Sequence, residues 1–255
     1  MATYCFSDLH AQYDLWEQIK EYLKPEDKAF CLGDCVDRGP AGLEILYEVI
    51  NHPNITLLRG NHEDFILHIG KYHQKKLEEI ARQEDNYDPE YYDLMHLWYA
   101  NGAKNTINSF NNLSKIERNK LLNTINDLPT RLIYINKNGD SIYLCHAGCQ
   151  PQTEEIPDLC EGMVPMNNYI WDRYHIMIEK WRGKKNEFCV HGHTPIMYLK
   201  YFMENDELPK DFNKIYTYCE NHKIDIDLGS FETHTACLFN LDTFEPIYFK
   251  DKGIK

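Results

Sequence analysis

No stretch of this chain offers the ~20 consecutive apolar residues that a bilayer-spanning helix requires, so no membrane partner is expected. Positive charge is also scarce. Lys and Arg number 27 against 40 Asp and Glu, a formal net charge of −13. That balance argues against a protein whose affinity comes from neutralising a phosphate backbone, and nucleic acid is not expected as a main partner. The first residues, Met1-Ala2-Thr3, lack the basic region and long apolar run of a secretory leader, and the expectation is a cytoplasmic protein. No internal repeat, low-complexity tract or linker is visible, and 255 residues suit one large α/β domain, taken as residues 1–255. A disulfide framework is missing too. The nine cysteines are odd in number and most lie inside apolar runs, so they read as reduced core thiols. Cys31 with Cys35, and Cys145 with Cys149, are each four apart, but both pairs straddle strand ends committed to other candidate ligands, and a structural thiolate-zinc site is not the expectation.

What the chain does have is a set of short apolar runs that end in polar clusters. Thr3 to Phe6 leads into Ser7-Asp8-Leu9-His10, and Ala29 to Leu32 leads into Gly33-Asp34-Cys35-Val36-Asp37-Arg38-Gly39. Ile55 to Leu58 leads into Arg59-Gly60-Asn61-His62-Glu63, Ser141 to Cys145 into His146-Ala147-Gly148, and Phe188 to Val190 into His191-Gly192-His193. Open α/β sheets bind ligands at such strand ends.

Between these strands the spacing predicts helices. Leu15, Trp16, Ile19, Tyr22 and Leu23 fall on one face before Pro25; Leu43, Leu46, Val49 and Ile50 do the same after Gly39-Pro40. The β-α-β-α-β order predicts parallel pairing. From about residue 64 to 130 the chain becomes charged, aromatic and poor in strands, and it reads as a helical cap insertion. Lys71, Lys75 and Lys76 read there as a solvated face. Asn138-Gly139 predicts a hairpin turn, and the segment Tyr169 to Arg182, with Trp171, Ile176, Ile178 and Trp181, shows mixed helical spacing.

Gathered from the strand ends, Asp8, His10, Asp34, Asn61, His146 and His193 are carboxylate, imidazole and amide donors without a thiolate. Such a set suits divalent Mn, Fe or Zn. Asp34 is the natural bridge between two ions, because its strand is expected to lie between those of Asp8 and Asn61; a shared water would then be activated toward a phosphorus centre. Arg38 offers a donor fork for phosphate, and His62, partnered by Asp37, offers a proton for the leaving oxygen.

These motifs are similar to those of the phosphoprotein phosphatase family of calcineurin-like metallophosphoesterases, in particular the bacterial and phage serine/threonine phosphatases. Asp8-Leu9-His10, Gly33-Asp34-Cys35-Val36-Asp37-Arg38-Gly39 and Gly60-Asn61-His62-Glu63 carry the resemblance, and His146 and His193 match the family's later histidines. The resemblance implies a four-layer α/β sandwich of two mixed β-sheets flanked by helices, and a dinuclear site with manganese as the expected metal. One ion would take Asp8, His10 and Asp34, the other Asp34, Asn61, His146 and His193. Trp171-Asp172-Arg173 resembles the family's second phosphate-binding arginine, with Arg182 as the alternative. Trp98 to Thr106 resembles a Trp-x-x-Asn-Gly-Gly-x-x-Thr element, with Ala103 in place of the second Gly, and Ser7 stands where Gly is more usual. His191 reads as structural rather than as a ligand.

The implied substrate is a phosphorylated protein or a small phosphate ester. The Arg59 and Glu63 flanks resemble the serine/threonine phosphatase branch more than the symmetrical diadenosine tetraphosphate hydrolases, which form the alternative. A catalytically inactive metal-binding scaffold is the remote third reading. Oligomeric state is left open.

Overall fold

Tyr4 and Phe6 of the first strand face one way and Cys5 the other, yet all three are buried. A strand apolar on both faces must be covered on both. That strand, β1 (Thr3–Phe6), pairs in parallel with β2 (Lys28–Cys31), which pairs in parallel with β3 (Ile55–Leu57). The crossovers are α1 (Tyr13–Tyr22) and α2 (Gly42–Asn51). In α1, Leu15, Trp16 and Ile19 are the buried stripe that the helical spacing predicts.

The computed structural model describes residues 1–84, 86–151, 168–177, 180–203 and 210–253. Its second half adds β4 (Arg131–Ile135), β5 (Ser141–Cys145), β6 (Glu187–His191), β7 (Tyr216–Tyr218), β8 (Lys223–Asp225), β9 (Thr235–Asn240) and β10 (Pro246–Lys250). These complete two mixed five-stranded sheets, ordered β10-β9-β1-β2-β3 and β4-β5-β6-β8-β7. The hairpin at Asn138-Gly139 forms as the sequence predicts, with Arg131 opposite Cys145 and Ile135 opposite Ser141. One apolar cluster joins the sheets, with Cys5, Leu32 and Phe239 from the first meeting Ile142, Leu144, Val190 and Ile224 from the second. Another covers the outer face of the first sheet, where Phe6, Trp16, Leu46, Phe65 and Trp98 pack together. The α/β architecture of two mixed sheets flanked by helices is therefore the observed one.

Four helices follow β3: α3 (Asn61–Ala81), α4 (Pro89–Ala100), α5 (Lys104–Asn112) and α6 (Lys115–Asn126). Two details depart from the sequence expectation. Helix α3 starts at Asn61, ahead of the helical insertion expected from about residue 64, because the Glu63 carboxylate turns back onto the Gly60 N–H at 3.0 Å and closes the first turn. Lys76 is not solvated but buried, with its Nζ 3.0 Å from Glu79 Oε2 and 2.5 Å from the Asn86 carbonyl. The segment from Tyr169 to Arg182, with its mixed helical spacing, holds among its described residues two short helices, α7 (Asn168–Trp171) and α8 (Tyr174–Met177); Ile178 lies outside the described residues. A 3-10 helix (Ile196–Tyr201) and the short α9 (Ser230–Thr233) complete the fold. Among the described residues no helix is long and apolar enough to cross a membrane.

Candidate metal centre and acid pair

Sharp turns at the carboxyl ends of the parallel strands bring the polar clusters together. Asp8, His10, Asp34, Asp37, Arg38 and His193 all have positive φ, between 42° and 72°. Non-glycine residues in that region cost of order 1–3 kcal/mol each, and such outliers concentrate at functional sites. Two glycines make the close approach feasible. A Cβ on Gly60 would collide with the Asp34 carboxylate, and one on Gly192 with that of Asp8.

The Asp34 carboxylate stands at the centre. Its Oδ2 lies 3.7 Å from His10 Nε2, 3.4 Å from His146 Nε2 and 3.8 Å from His62 Nε2, while its Oδ1 accepts the His62 backbone N–H at 3.0 Å. On one side are His10 and Asp8, whose Oδ1 is 3.9 Å from His10 Nε2. On the other, Asn61 Oδ1 lies 2.9 Å from His146 Nε2 and 2.8 Å from His193 Nδ1, with those two ring nitrogens 3.2 Å apart. Asp8, His10, Asp34, Asn61, His146 and His193 are thus brought into one buried cluster. His191 is turned elsewhere, to the Tyr218 hydroxyl at 2.8 Å and the Gly192 carbonyl at 3.0 Å.

The hydrogen-bonding pattern fits a cation. His10 Nδ1–H donates to the Val36 carbonyl and His146 Nδ1–H to that of Leu32, each at 3.0 Å, which leaves both Nε2 atoms as acceptors aimed at Asp34. Acceptors therefore converge on acceptors, and Asp8 Oδ1 is buried without a hydrogen-bond partner among the described residues. Electrostatics agree. Burial opposes a charge on His146, yet Asp34 and Asp8 push its pKa up to about 10: these carboxylates call for positive charge at Nε2, either a second proton on the ring or a cation in that proton's place. Burial and the Arg38 and His62 charges keep His10 well below the ordinary value, and burial with Arg173 does so for His193, which favours the neutral imidazoles that ligate metals.

Beside the cluster His62 Nδ1 meets Asp37 Oδ2 at 2.6 Å. Burial lowers the His62 pKa, but Asp34 and the Asp37 hydrogen bond outweigh it and hold the ring above its usual range. Arg38 is half-buried, its Nη1 3.6 Å from Glu232 Oε1. Arg173 reaches the same region. Burial lowers its pKa against the fields of Asp227 and Asp34, and its guanidinium lies over the Phe202 ring at 5.7 Å. Its segment is fastened to α3 by Trp171 Nε1–H donating to Asp64 Oδ2 at 2.8 Å. Arg182 instead ties its backbone N–H to Gln150 at 3.0 Å.

Several supports were not legible as such. The buried Glu63 carboxylate accepts from the backbone N–H groups of Asp34, Cys35 and Gly60 at 2.8, 2.8 and 3.0 Å, locking the Asp34 turn to the start of α3. Burial and the charge of Asp34 push its pKa up to about 7. The stretch from Trp98 to Thr106 braces the next turn. Trp98 Nε1–H donates to Asp37 Oδ2 at 2.9 Å, Thr106 Oγ1 accepts from the Asp37 N–H at 3.1 Å, and the Gly102 carbonyl accepts from the Arg38 N–H at 2.9 Å. Only Gly102 there needs positive φ, 89°; Ala103 has φ −69°, so the missing second glycine costs this turn nothing.

The profile of the calcineurin-like phosphoesterase family matches residues 1–255. The chain belongs to that family. Among curated relatives of this phosphoesterase, a serine/threonine-protein phosphatase of Caenorhabditis elegans is 43% identical over 63 residues, covering 22% of this chain and 17% of that protein. The symmetrical bis(5'-nucleosyl)-tetraphosphatase of Salmonella paratyphi A is 38% identical over 72 residues, covering 26% of this chain and 25% of that protein. The matched stretch thus spans a quarter or less of these relatives' length. A solved structure described as a diadenosine tetraphosphatase superposes with a TM-score of 0.56 at 12% identity, covering 98% of this chain and 94% of that one. At that identity the likeness speaks for the fold.

Proposed function

We propose that this phosphoesterase is a dinuclear phosphomonoesterase acting on serine/threonine phosphoprotein. The observation that carries the reading is the placement of Asp34 Oδ2 among His10, His146 and His62, within 3.4–3.8 Å of each ring. A carboxylate so placed could serve two ions: Asp8, His10 and Asp34 would hold one, and Asp34, Asn61, His146 and His193 the other. Bound divalent ions would supply an activated water and neutralise charge on the phosphate, with manganese as the expected metal and iron or zinc compatible with the same donors.

The chain's own residues complete the reaction. Arg38 and Arg173 bind the non-bridging phosphate oxygens and orient the ester for in-line displacement. His62, its Nδ1 held by Asp37, delivers a proton from Nε2 to the departing alkoxide, and Asp37 stabilises the imidazolium until then. A serine or threonine alkoxide is a poor leaving group, so an acid with a raised pKa is the feature such a substrate demands. The helical insertion from about residue 64 to 130 acts as a cap that shapes substrate access, residues 1–255 forming one catalytic domain.

Relatives of both kinds, protein phosphatase and dinucleoside tetraphosphatase, support the chemistry and leave the lean to phosphoprotein resting on the Arg59 and Glu63 flanks. The test is phosphate release by metal-stripped protein after manganese is restored, comparing a phosphothreonine peptide with diadenosine tetraphosphate at matched concentration. Faster turnover of the peptide is expected. Preference for the dinucleotide would replace the substrate while keeping the mechanism; turnover of neither, with ions bound, would leave a scaffold.

A further inference from the structure

On the strands that deliver His146 and His193, beside the candidate centre, lies a second convergence of ligand atoms, and it is all sulfur. Cys145 ends β5, Cys149 follows in the loop beyond it, and Cys189 lies on the neighbouring strand β6. The three Sγ atoms lie within 4.8 Å of one another, with Cys149 and Cys189 4.0 Å apart, and all three residues are buried. Filling an apolar core does not require thiols from two strands and a loop to aim their sulfurs at one point. Zinc–sulfur bonds of about 2.3 Å place bound sulfurs roughly 3.8–4.0 Å apart, so the Cys149–Cys189 spacing is already that of a shared ion.

The surroundings suit a metal thiolate. The Cys149 backbone N–H donates to Cys189 Sγ at 3.4 Å. Arg131 stands opposite Cys145 across the β4–β5 ladder, its guanidinium 5.1 Å from the Tyr143 ring and 5.4 Å from that of Tyr169. An N–H donor and a nearby cation offset the negative charge that three thiolates bring into an apolar place. Tyr143, Tyr169 and Trp181 pack around the sulfurs.

The geometry points to a separate metal site in which Cys145, Cys149 and Cys189 hold a thiophilic d10 cation of the zinc or copper(I) class. Sulfur-only donors distinguish it from the oxygen- and nitrogen-lined cluster and select a softer ion. Binding forms three metal–sulfur bonds, sends the thiol protons to the buffer and leaves oxidation states unchanged. Its structural effect is to staple β5 to β6, the strands that lead to His146 and His193. The proposal stands whether or not the protein is a phosphatase.

The test is titration of the reduced, metal-free full chain with cadmium, read by the ultraviolet sulfur-to-cadmium charge-transfer band. The oxygen- and nitrogen-lined cluster contributes nothing to that band. The wild type should develop it; Cys149→Ser and Cys189→Ser should lose most of it, and Cys31→Ser should keep it. Cys31 and Cys35, with sulfurs 3.6 Å apart, are the internal control. Cys149→Ala repeats the deletion without introducing a hydroxyl, and cadmium NMR on the wild type supplies a readout that needs no variant. A resonance in the sulfur-rich range supports the site. A wild type without the band, a band lost in Cys31→Ser but retained in Cys149→Ser, or a disulfide between Cys149 and Cys189 in the purified protein would each overturn it.

Discussion

His62 Nδ1 and Asp37 Oδ2 lie 2.6 Å apart, and that hydrogen bond leaves Nε2 facing the Asp34 carboxylate. A ring held in this way gives its Nδ1–H to Asp37 and has only the Nε2 proton to deliver to a substrate. His62→Asn should therefore lower turnover of a phosphoserine or alkyl phosphate by about 10²–10⁴-fold. An activated aryl phosphate, whose leaving group needs no proton, should lose far less. Equal losses on both substrates in steady-state assays would remove His62 from the role of acid.

The same Asp37 oxygen accepts the Trp98 indole N–H at 2.9 Å, so two donors share one charge. Trp98→Phe removes one and concentrates the carboxylate on His62, whose pKa already stands above its usual value. The protonated ring is the active form, so activity falls as pH rises through that pKa. Raising it moves the alkaline limb of the kcat profile upward, by roughly half a pH unit to one unit for a charge-assisted hydrogen bond. A downward shift would contradict the arrangement.

The strand ends were legible because each apolar run of β1, β2, β3, β5 and β6 stops at a polar cluster, and position along the chain then implies position in the sheet. Asp34 between the strands of Asp8 and Asn61 is such an inference, and β2 does lie between β1 and β3. Glu63, Trp98 and Glu232 were not legible in their observed contacts, because each depends on which backbone the fold brings opposite. Trp98 belongs to a recognisable motif, yet nothing local says that its N–H meets Asp37, 61 residues earlier. Lys76 misled for the converse reason. A lysine in a charge run is buried here because Glu79 and a backbone carbonyl happen to receive it. β7, three residues long, is too short for periodicity to separate it from loop, and β10 is an edge strand in which every residue keeps some exposure.

Glu63 joins two turns through three backbone N–H groups. Glutamine keeps the shape but has one acceptor oxygen, and its amide turns a donor toward other donors. Glu63→Gln should cost about 2–4 kcal/mol in denaturant unfolding, the sum of a lost charge-assisted hydrogen bond and an unsatisfied buried group. A change below about 0.5 kcal/mol would show that the clamp is dispensable.

If Asp34 serves two ions, removing its charge should empty both positions. Asp34→Asn keeps Oδ1 for the His62 N–H and removes the anionic character of the oxygen set among His10, His146 and His62. Manganese analysis after dialysis should fall from about two manganese ions per chain to well below one, an ion held by the sulfur cluster being counted separately. Retention of two would contradict the bridge, and loss of one alone would assign Asp34 to a single ion.

Glu232 places a carboxylate oxygen 3.6 Å from Arg38 Nη1, where it competes with any phosphate that the guanidinium is to bind. Both side chains are about a quarter to a third exposed, at 22% and 32%, so solvent screens the pair. Its worth is at most about 1 kcal/mol. Glu232→Gln should therefore lower KM for a phosphate ester by roughly two- to five-fold while kcat stays nearly constant, since the competitor acts on ground-state binding and the acid pair is untouched. Added salt should shrink the difference, because it weakens the wild-type ion pair as well. A rise in KM would mean that Glu232 orients Arg38 for phosphate rather than contesting it.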